Sequence, residues 1–421
     1  MNKTIKNKIR LVTALVLLTP SLAFATNGYF AHGWGMKSKA MAGAGIATGQ
    51  DGLAAATNPA GMVVVGNRLD FGLDVFSPDR TATISGNGGG GNQTADGNGD
   101  DNFLIPEFGY NQMINSTMSF GVSVYGNGGM NTNYENGINL FNGGSGQETG
   151  INLSQLFIAP TFAMKINKDH AFGVAINLAY QTFEAKGING FAGISSNSAA
   201  LSDNGADSST GFGFSLGYIG QLSPDFSLGV NYRSRTYMSE FDKYAGLFAE
   251  QGDFDIPSMY GVGLKYTPTS AWTLLFDYSR INYSEIAAIA NAGTNFLLPG
   301  GALGQDNGAG FGWVDMDVYK LGVSWNMSKT LTLRGGWSHN SAPIPAGETL
   351  FNVLAPATVQ DHLTLGATWV LSGGSELTVA YMHAFEKSVD GSSSIPAAFG
   401  SGEAKIGMSQ DSLGVAYGYS F

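Results

Sequence analysis

Phe172-Gly173-Val174-Ala175-Ile176-Asn177-Leu178-Ala179-Tyr180-Gln181 is the stretch that decides the fold. Large apolar side chains stand at every even number and small or polar ones at every odd number. A strand sends successive side chains to opposite faces, so a period of two builds a wall that is apolar on one side only. The pattern recurs along the chain. Leu69, Phe71, Leu73 and Val75 alternate with Asp70, Gly72 and Asp74; Met118, Phe120, Val122 and Val124 alternate with Ser119, Gly121 and Ser123. Phe226 to Arg233, Tyr319 to Trp325 and Leu363 to Trp369 read the same way.

Working outward, fourteen strands are expected, at 68–78, 101–111, 116–125, 155–166, 171–184, 211–222, 226–236, 257–267, 271–281, 317–327, 330–339, 360–371, 375–386 and 411–421. Most match the roughly 9–11 residues that cross a bilayer when tilted. Every second connection is short, as at Gln112–Asn115, Asn167–His170, Ser223–Asp225 and Ser328–Lys329. The others, such as 79–100, 126–154, 185–210 and 282–316, are long and rich in Gly, Asn, Ser and Asp. Short turns at one end and long loops at the other belong to outer-membrane barrels. The expected fold class is all-β, a 14-stranded antiparallel transmembrane β-barrel. A soluble sandwich would mix its short and long connections.

Composition agrees. Charged residues are 13% of the 421, against about 25% in soluble chains, while aromatics reach 12%. Glycine numbers 61. Mean hydropathy is +0.01, too low for a bundle of membrane helices. Disorder is excluded, since disordered chains are charge-rich and aromatic-poor. The formal charge of −11 excludes a nucleic-acid surface, and without cysteine there is no thiolate chemistry.

Residues 1–25 read as a signal peptide. Lys3, Lys6, Lys8 and Arg10 form a positive start, Leu11 to Leu18 an apolar middle, and Ala23-Phe24-Ala25 a small-x-small cleavage site. Cleavage after Ala25 removes those four cations. The far end carries a second address: Leu413, Val415, Tyr417, Tyr419 and Phe421 share one face, and an aromatic final residue is common in outer-membrane barrels. Tyr110, Tyr266, Trp272, Tyr278, Trp337, Trp369 and Phe385 lie near strand ends, where aromatic girdles belong.

Residues 26–67 show no period of two. They are rich in small residues, as in Met41 to Ile46 and Asp51 to Thr57, and Asn58-Pro59 would end a short helix there. Small residues pack closely, so a plug of short helices inside the lumen is expected, with the barrel at 68–421. Asn27-Gly28-Tyr29-Phe30-Ala31-His32-Gly33-Trp34, then Ala42-Gly43-Ala44-Gly45, then Ala55-Ala56-Thr57-Asn58-Pro59-Ala60-Gly61 resemble the N-terminal hatch of the FadL/TodX family of outer-membrane transporters for long-chain fatty acids and other hydrophobic compounds. Pro160 and Gly229-Val230-Asn231-Tyr232-Arg233-Ser234 also look like family motifs. The resemblance implies capture in a loop-side groove, transfer to a lumen pocket, and lateral release through a kinked third strand. In the strand at 116–125 the candidate kink is Gly121, and Asn58, Pro59 and Ala60 are the candidate gate.

Catalysis is not expected. The five histidines show no metal spacing, no Gly-x-Ser-x-Gly elbow is present, and no cofactor is implied. His339-Asn340-Ser341 comes closest to the His/Ser pair of an outer-membrane phospholipase. Asp96, Asn98, Asp100, Asn102 and Glu107 fit calcium-loop positions, although Asp101 replaces the glycine. By parity Asp70, Asp74, Glu107, Lys165, Arg233, Lys265, Asp277, Lys320 and Arg334 face inward. Arg233, Lys265, Lys320 and Arg334 are candidates for a carboxylate head group, and Phe103, Ile105, Leu275 and Met382 for an acyl chain. The alternatives are uptake of aromatic hydrocarbons or alkanes, or a general porin or adhesive barrel; a porin needs an unplugged lumen. The expected partners are hydrophobic small molecules, outer-membrane lipid and lipopolysaccharide, around a monomer.

Overall fold

The computed structural model describes residues 26–421; the signal segment at 1–25 lies outside the described residues. Sixteen strands form one antiparallel sheet. They are β1 (Arg68–Ser85), β2 (Gln93–Asp96), β3 (Phe103–Met113), β4 (Met118–Tyr134), β5 (Thr149–Lys165), β6 (His170–Lys186), β7 (Asp207–Gln221) and β8 (Phe226–Arg233). Then follow β9 (Tyr237–Met238), β10 (Met259–Thr269), β11 (Trp272–Ile281), β12 (Met316–Asn326), β13 (Leu331–Asn340), β14 (Asp361–Val370), β15 (Ser375–Val389) and β16 (Glu403–Ser420). β2 and β9 are short additions at the loop end. The other 14 are the expected strands and close into a barrel by pairing β16 with β1, from Arg68↔Ser420 to Ser85↔Glu403.

Several strands run well past their expected ends. β1 and β16 have 18 residues and β4, β5 and β6 have 17, whereas β8 has 8 and β11, β13 and β14 have 10. The extra length has its own pattern. Low in β1 the outward residues are Leu69, Phe71, Leu73 and Val75, and the inward ones Arg68, Asp70, Gly72 and Asp74. Above Phe76 the outward residues become Ser77, Asp79, Thr81 and Thr83, while buried Phe76, Ala82 and Ile84 face inward. β16 inverts at the same height: Leu413, Val415 and Tyr417 are exposed outward, but above them Ala404, Ile406 and Met408 are buried inward. β5 and β6 follow, with Ile151, Leu153 and Phe183 inward and Asn152, Ser154, Glu184 and Lys186 outward. The barrel therefore has a lower part made for lipid outside and an upper collar made for water outside.

Stacked aromatic pairs line the lower rim, at Phe226–Tyr266, Trp272–Trp325 and Tyr110–Phe421, and Tyr278–Tyr319 marks the upper one. These are the interfacial heights, where an amphipathic ring is half wet.

Candidate binding chamber and its floor

Inside the lower barrel, residues 26–66 lie against the inward face of strand after strand. Met36, Ala40, Met41, Ile46, Gly52 and Pro59 abut Gly414, Gly366, Gly336, Gly229, Gly109 and Gly173 respectively. Two of these approaches show why the strands need glycine. A methyl group on Gly173 would overlap the Pro59 carbonyl, and one on Gly217 would overlap the Asn58 side chain. Asn58 is fully buried. Its Nδ2 donates to the carbonyls of Ile46 (2.7 Å), Tyr218 (3.0 Å) and Val230 (3.3 Å), and its Oδ1 accepts from the N–H of Ala60 (3.0 Å). One amide thus ends a helical turn (Ala54–Thr57), starts the next at Pro59, and ties both to β7 and β8.

Charge does the rest. Lys39 Nζ lies 2.8 Å from Asp74 and 2.9 Å from Glu107, all three buried. Burial opposes the Lys39 charge, but the two carboxylates outweigh it and hold its pKa above the ordinary value. Lys37 and Arg68 both reach Glu376 at 2.6 Å, and Arg68 also pairs with Asp70. Asp70 accepts from the N–H of Gly52, and Asp277 from those of Gly45 and Ile46. Asp51, buried beside Asp70, has its pKa raised by burial and then by that neighbour. The segment is held by backbone as much as by side chains.

The expected site residues divide by height. Phe103, Ile105 and Met382 join the large apolar cluster of the collar. Tyr29, Phe30 and Trp34 enter it from below. Phe141, Phe191, Phe248, Phe254, Trp313 and Phe351 enter from the long loops. Leu275 is elsewhere: it packs with Met41 and Ala44 beneath the collar cluster, so the N-terminal segment has taken its surface. Among the cations, Lys320 donates to the carbonyl of His32 at 2.8 Å and is likewise taken up. Arg334 donates to Thr368 Oγ1 at 2.6 Å. Lys265 is half-buried near the short-turn end of β10. Sequence parity gave all four the same standing, because the carbonyls and hydroxyls they meet come from distant segments.

Arg233 differs. It is buried at the top of β8; like the other three cations it has no carboxylate within ion-pair distance among the described residues, and its surroundings set it apart. Its Nη1 donates to Asn127 Oδ1 and its Nη2 to the Ala56 carbonyl, both at 2.7 Å. The rings of Trp34, Phe157 and Tyr125 surround the guanidinium at 4.8, 5.3 and 5.9 Å. A small cleft lined by Ala55, Thr57, Pro59, Ser215 and Asn231 opens beside it.

The strand-to-strand pairing of the wall stops short between β3 and β4, and there the edge of β4 is taken by the N-terminal segment: the Ala31 N–H donates to the Asn127 carbonyl and the Gly129 N–H to the Tyr29 carbonyl, both at 2.9 Å. β3 pairs with β4 only from Met113↔Ser119 to Phe108↔Val124; higher residues of β3 pair with β1 alone. β4 meanwhile shifts its register against β5 between Gly126 and Gly128. The irregularity thus falls six residues, three repeats of the strand pattern, beyond Gly121, whose glycine serves another need: a methyl group there would overlap Met62 and the Tyr110 carbonyl. Asn127, the residue at the shift, is the one that holds Arg233.

Two minor motifs take ordinary places. His339 bonds Asp361 at 2.9 Å on the outer wall, while Ser341 Oγ accepts from the Asp317 N–H. The calcium spacing does not close into a loop, because Glu107 turns inward onto Lys39; among the described residues no His, Asp and Glu group could hold a metal.

A family model described as outer membrane protein transport protein (OMPP1/FadL/TodX) matches residues 12–421. The chain belongs to this family. It is an outer-membrane β-barrel accordingly. The long-chain fatty acid transport protein of Escherichia coli is 22% identical over 434 aligned residues, covering 90% of this chain and 93% of that one. The crystal structure of the Pseudomonas putida toluene transporter TodX superposes with a TM-score of 0.70 at 18% identity, over 93% of this chain and 99% of that one. A Pseudomonas aeruginosa FadL homologue gives 0.71 at 15% identity, over 94% and 100%. These family members share the barrel.

Proposed function

We propose that this family member takes up hydrophobic molecules, foremost long-chain fatty acids, across the outer membrane. Residues 26–67 act as its plug, or hatch. The cargo's apolar part lies in the collar cluster, where each buried CH₂ contributes about 0.8 kcal/mol. Its carboxylate meets Arg233. The observation that carries this reading is a buried guanidinium with aromatic rings around it and no carboxylate partner among the described residues. A charge so placed is costly unless something pairs with it, and arginine's planar fork matches a carboxylate. Release goes sideways, through the wall between β3 and β4, beside Asn127. The hatch blocks the way down, and Asn58, Pro59 and Ala60 hold it to the wall. The protein works as a monomer, with lipid and lipopolysaccharide around it and no chemistry on the cargo.

The relatives' printed substrates include both a fatty acid and toluene, and the test separates them. Fatty-acid binding is measured for Arg233→Ala, Lys265→Ala, Lys320→Ala and Arg334→Ala, with an alkane of equal length as control. Arg233→Ala is expected to lose about 1–3 kcal/mol for the acid and little for the alkane. If all four variants bind the acid like the parent, the cargo is an uncharged hydrocarbon.

A further inference from the structure

Three inward residues stand side by side at one height across β12, β13 and β14. Lys320 is paired with Ser338, and Ser338 with His362. His32 lies against them: its ring is within 14° of parallel to that of His362, with centroids 6.5 Å apart, and its carbonyl takes the Lys320 hydrogen bond. All four residues are 7% exposed or less. Yet His32 Nε2, both ring nitrogens of His362 and Ser338 Oγ make no hydrogen bond of good geometry among the described residues, although the Ser338 carbonyl lies near enough to the His362 ring to favour its charged form. Buried polar groups in folded proteins are nearly always hydrogen-bonded, so four such atoms in one place mark a spot shaped for something polar.

The row lies at the boundary between floor and chamber. The next inward residue above Lys320 is Val318, part of the collar cluster; the next below is Gly322, against Met41. A polar group on a molecule in the chamber would meet this row at the chamber's base, away from Arg233.

Its chemistry can be read from the donors and acceptors. Burial, then the charges of Lys39, His362 and Lys320, hold His32 well below its ordinary pKa, so it offers one N–H and one lone pair. His362 does the same in either neutral tautomer, and a serine hydroxyl both gives and receives. A carboxylate only accepts, and would leave the imidazole lone pairs unmet. A hydroxyl answers both kinds of group. We propose that His32, Ser338 and His362, with Lys320 beside them, form a subsite for a hydroxyl group carried by an otherwise apolar molecule, an aliphatic alcohol or a phenol. The proposal rests on the collar being a chamber for hydrophobic cargo and adds a polar preference to it.

The test uses matched pairs on the purified full barrel in amphipol: p-cresol against toluene, and dodecanol against dodecane, by titration calorimetry. The parent is expected to favour the hydroxyl member of at least one pair about tenfold after correction for partition into amphipol; which pair shows it separates phenol from alcohol. His362→Phe, which keeps the ring and removes both nitrogens, and Ser338→Ala should each reduce that preference to near unity with toluene or dodecane unchanged. His362→Gln, which retains a donor and an acceptor, should restore part of it. Folding of each variant is checked by its heat-dependent shift on a gel, and Ser338→Ala, the smaller change, decides if His362→Phe does not fold. If the parent binds both members of each pair equally, or the variants keep its preference, the hydroxyl subsite is wrong and the chamber stands. If it binds none of the four, the chamber reading fails and takes the subsite with it.

Discussion

The lower barrel and the collar are the same strands with their faces exchanged. Below Phe76 in β1 the wall is apolar outside and charged or glycine-lined inside; above it, polar outside and, buried Arg80 apart, apolar inside. The period of two runs through without a break, so nothing in the backbone marks the change. What changes is the solvent on each side. Lipid surrounds the lower part, whose interior is filled by a polar, closely fitted peptide. Water surrounds the collar, whose interior is filled by rings. In the proposed function the cargo's apolar home is the part of the barrel that stands clear of the membrane, and the two parts meet at Arg233 and at the His32 row.

The largest effect should come from the lower interior. Lys39→Met would leave Asp74 and Glu107 buried without their cation, at about 3–5 kcal/mol. Thermal unfolding in detergent should fall accordingly, and protease should reach the N-terminal segment; a variant that unfolds like the parent would show that the segment is held by backbone contacts alone.

Next comes the outer face, where the exchange itself can be broken. Leu73→Arg faces lipid and should cost about 2–4 kcal/mol, whereas Thr81→Arg, on the same strand and the same outward face within the collar, should cost about 0–1 kcal/mol. Equal costs, measured by reversible unfolding in vesicles, would mean that the collar is also in lipid.

Gly173→Val tests the fit of the floor. Its side chain would collide with the Pro59 carbonyl, and overpacking of this kind costs about 1–3 kcal/mol. The expected readout is faster hydrogen exchange at 54–62 with the strands unaffected. Gly335→Val, on an open approach of β13, is the control.

The smallest effect is one of pH. Burial and Asp70 raise the Asp51 pKa to about 6. An acid with a raised folded pKa favours the fold when protonated. That stability is complete below the ordinary carboxylate range near pH 4 and is lost as pH rises through about 6. Protection factors at residues 49–54, exchange rates corrected for the base-catalysed intrinsic rate at each pH, should therefore be higher at pH 5 than at pH 8, and Asp51→Asn should remove the difference.

The exchange of faces also explains what could be read from sequence. Fourteen strands were legible because their lower halves put Leu, Phe and Val outward against glycine and small polar residues. Their upper halves were not, because a rule seeking outward apolar residues stops at Pro78 and resumes only at Asp411. Asp79 to Ser85 and Glu403 to Gln410 looked like loop for that reason. Arg233 and Lys320 could not be ranked from parity; both donate to carbonyls of the N-terminal segment, Ala56 and His32, and the difference is the rings of Trp34, Phe157 and Tyr125 around the Arg233 guanidinium. The wall irregularity was sought at Gly121, one of several glycines in β4, and lies at Asn127, where only the register against β5 reveals it.

The pairing of β1 with β16 joins the first strand to the last over the whole length of both. No part of this seam can form until the end of the chain has arrived, and bringing such distant segments together is slow because the entropy of closing the long intervening loop comes first. Lys37, Arg68 and Glu376 belong to the N-terminal segment, β1 and β15, so their cluster also requires the closed ring. The stopper is thus the last piece to lock: a chain that lacks its end would expose an unsealed edge and an unfastened segment together.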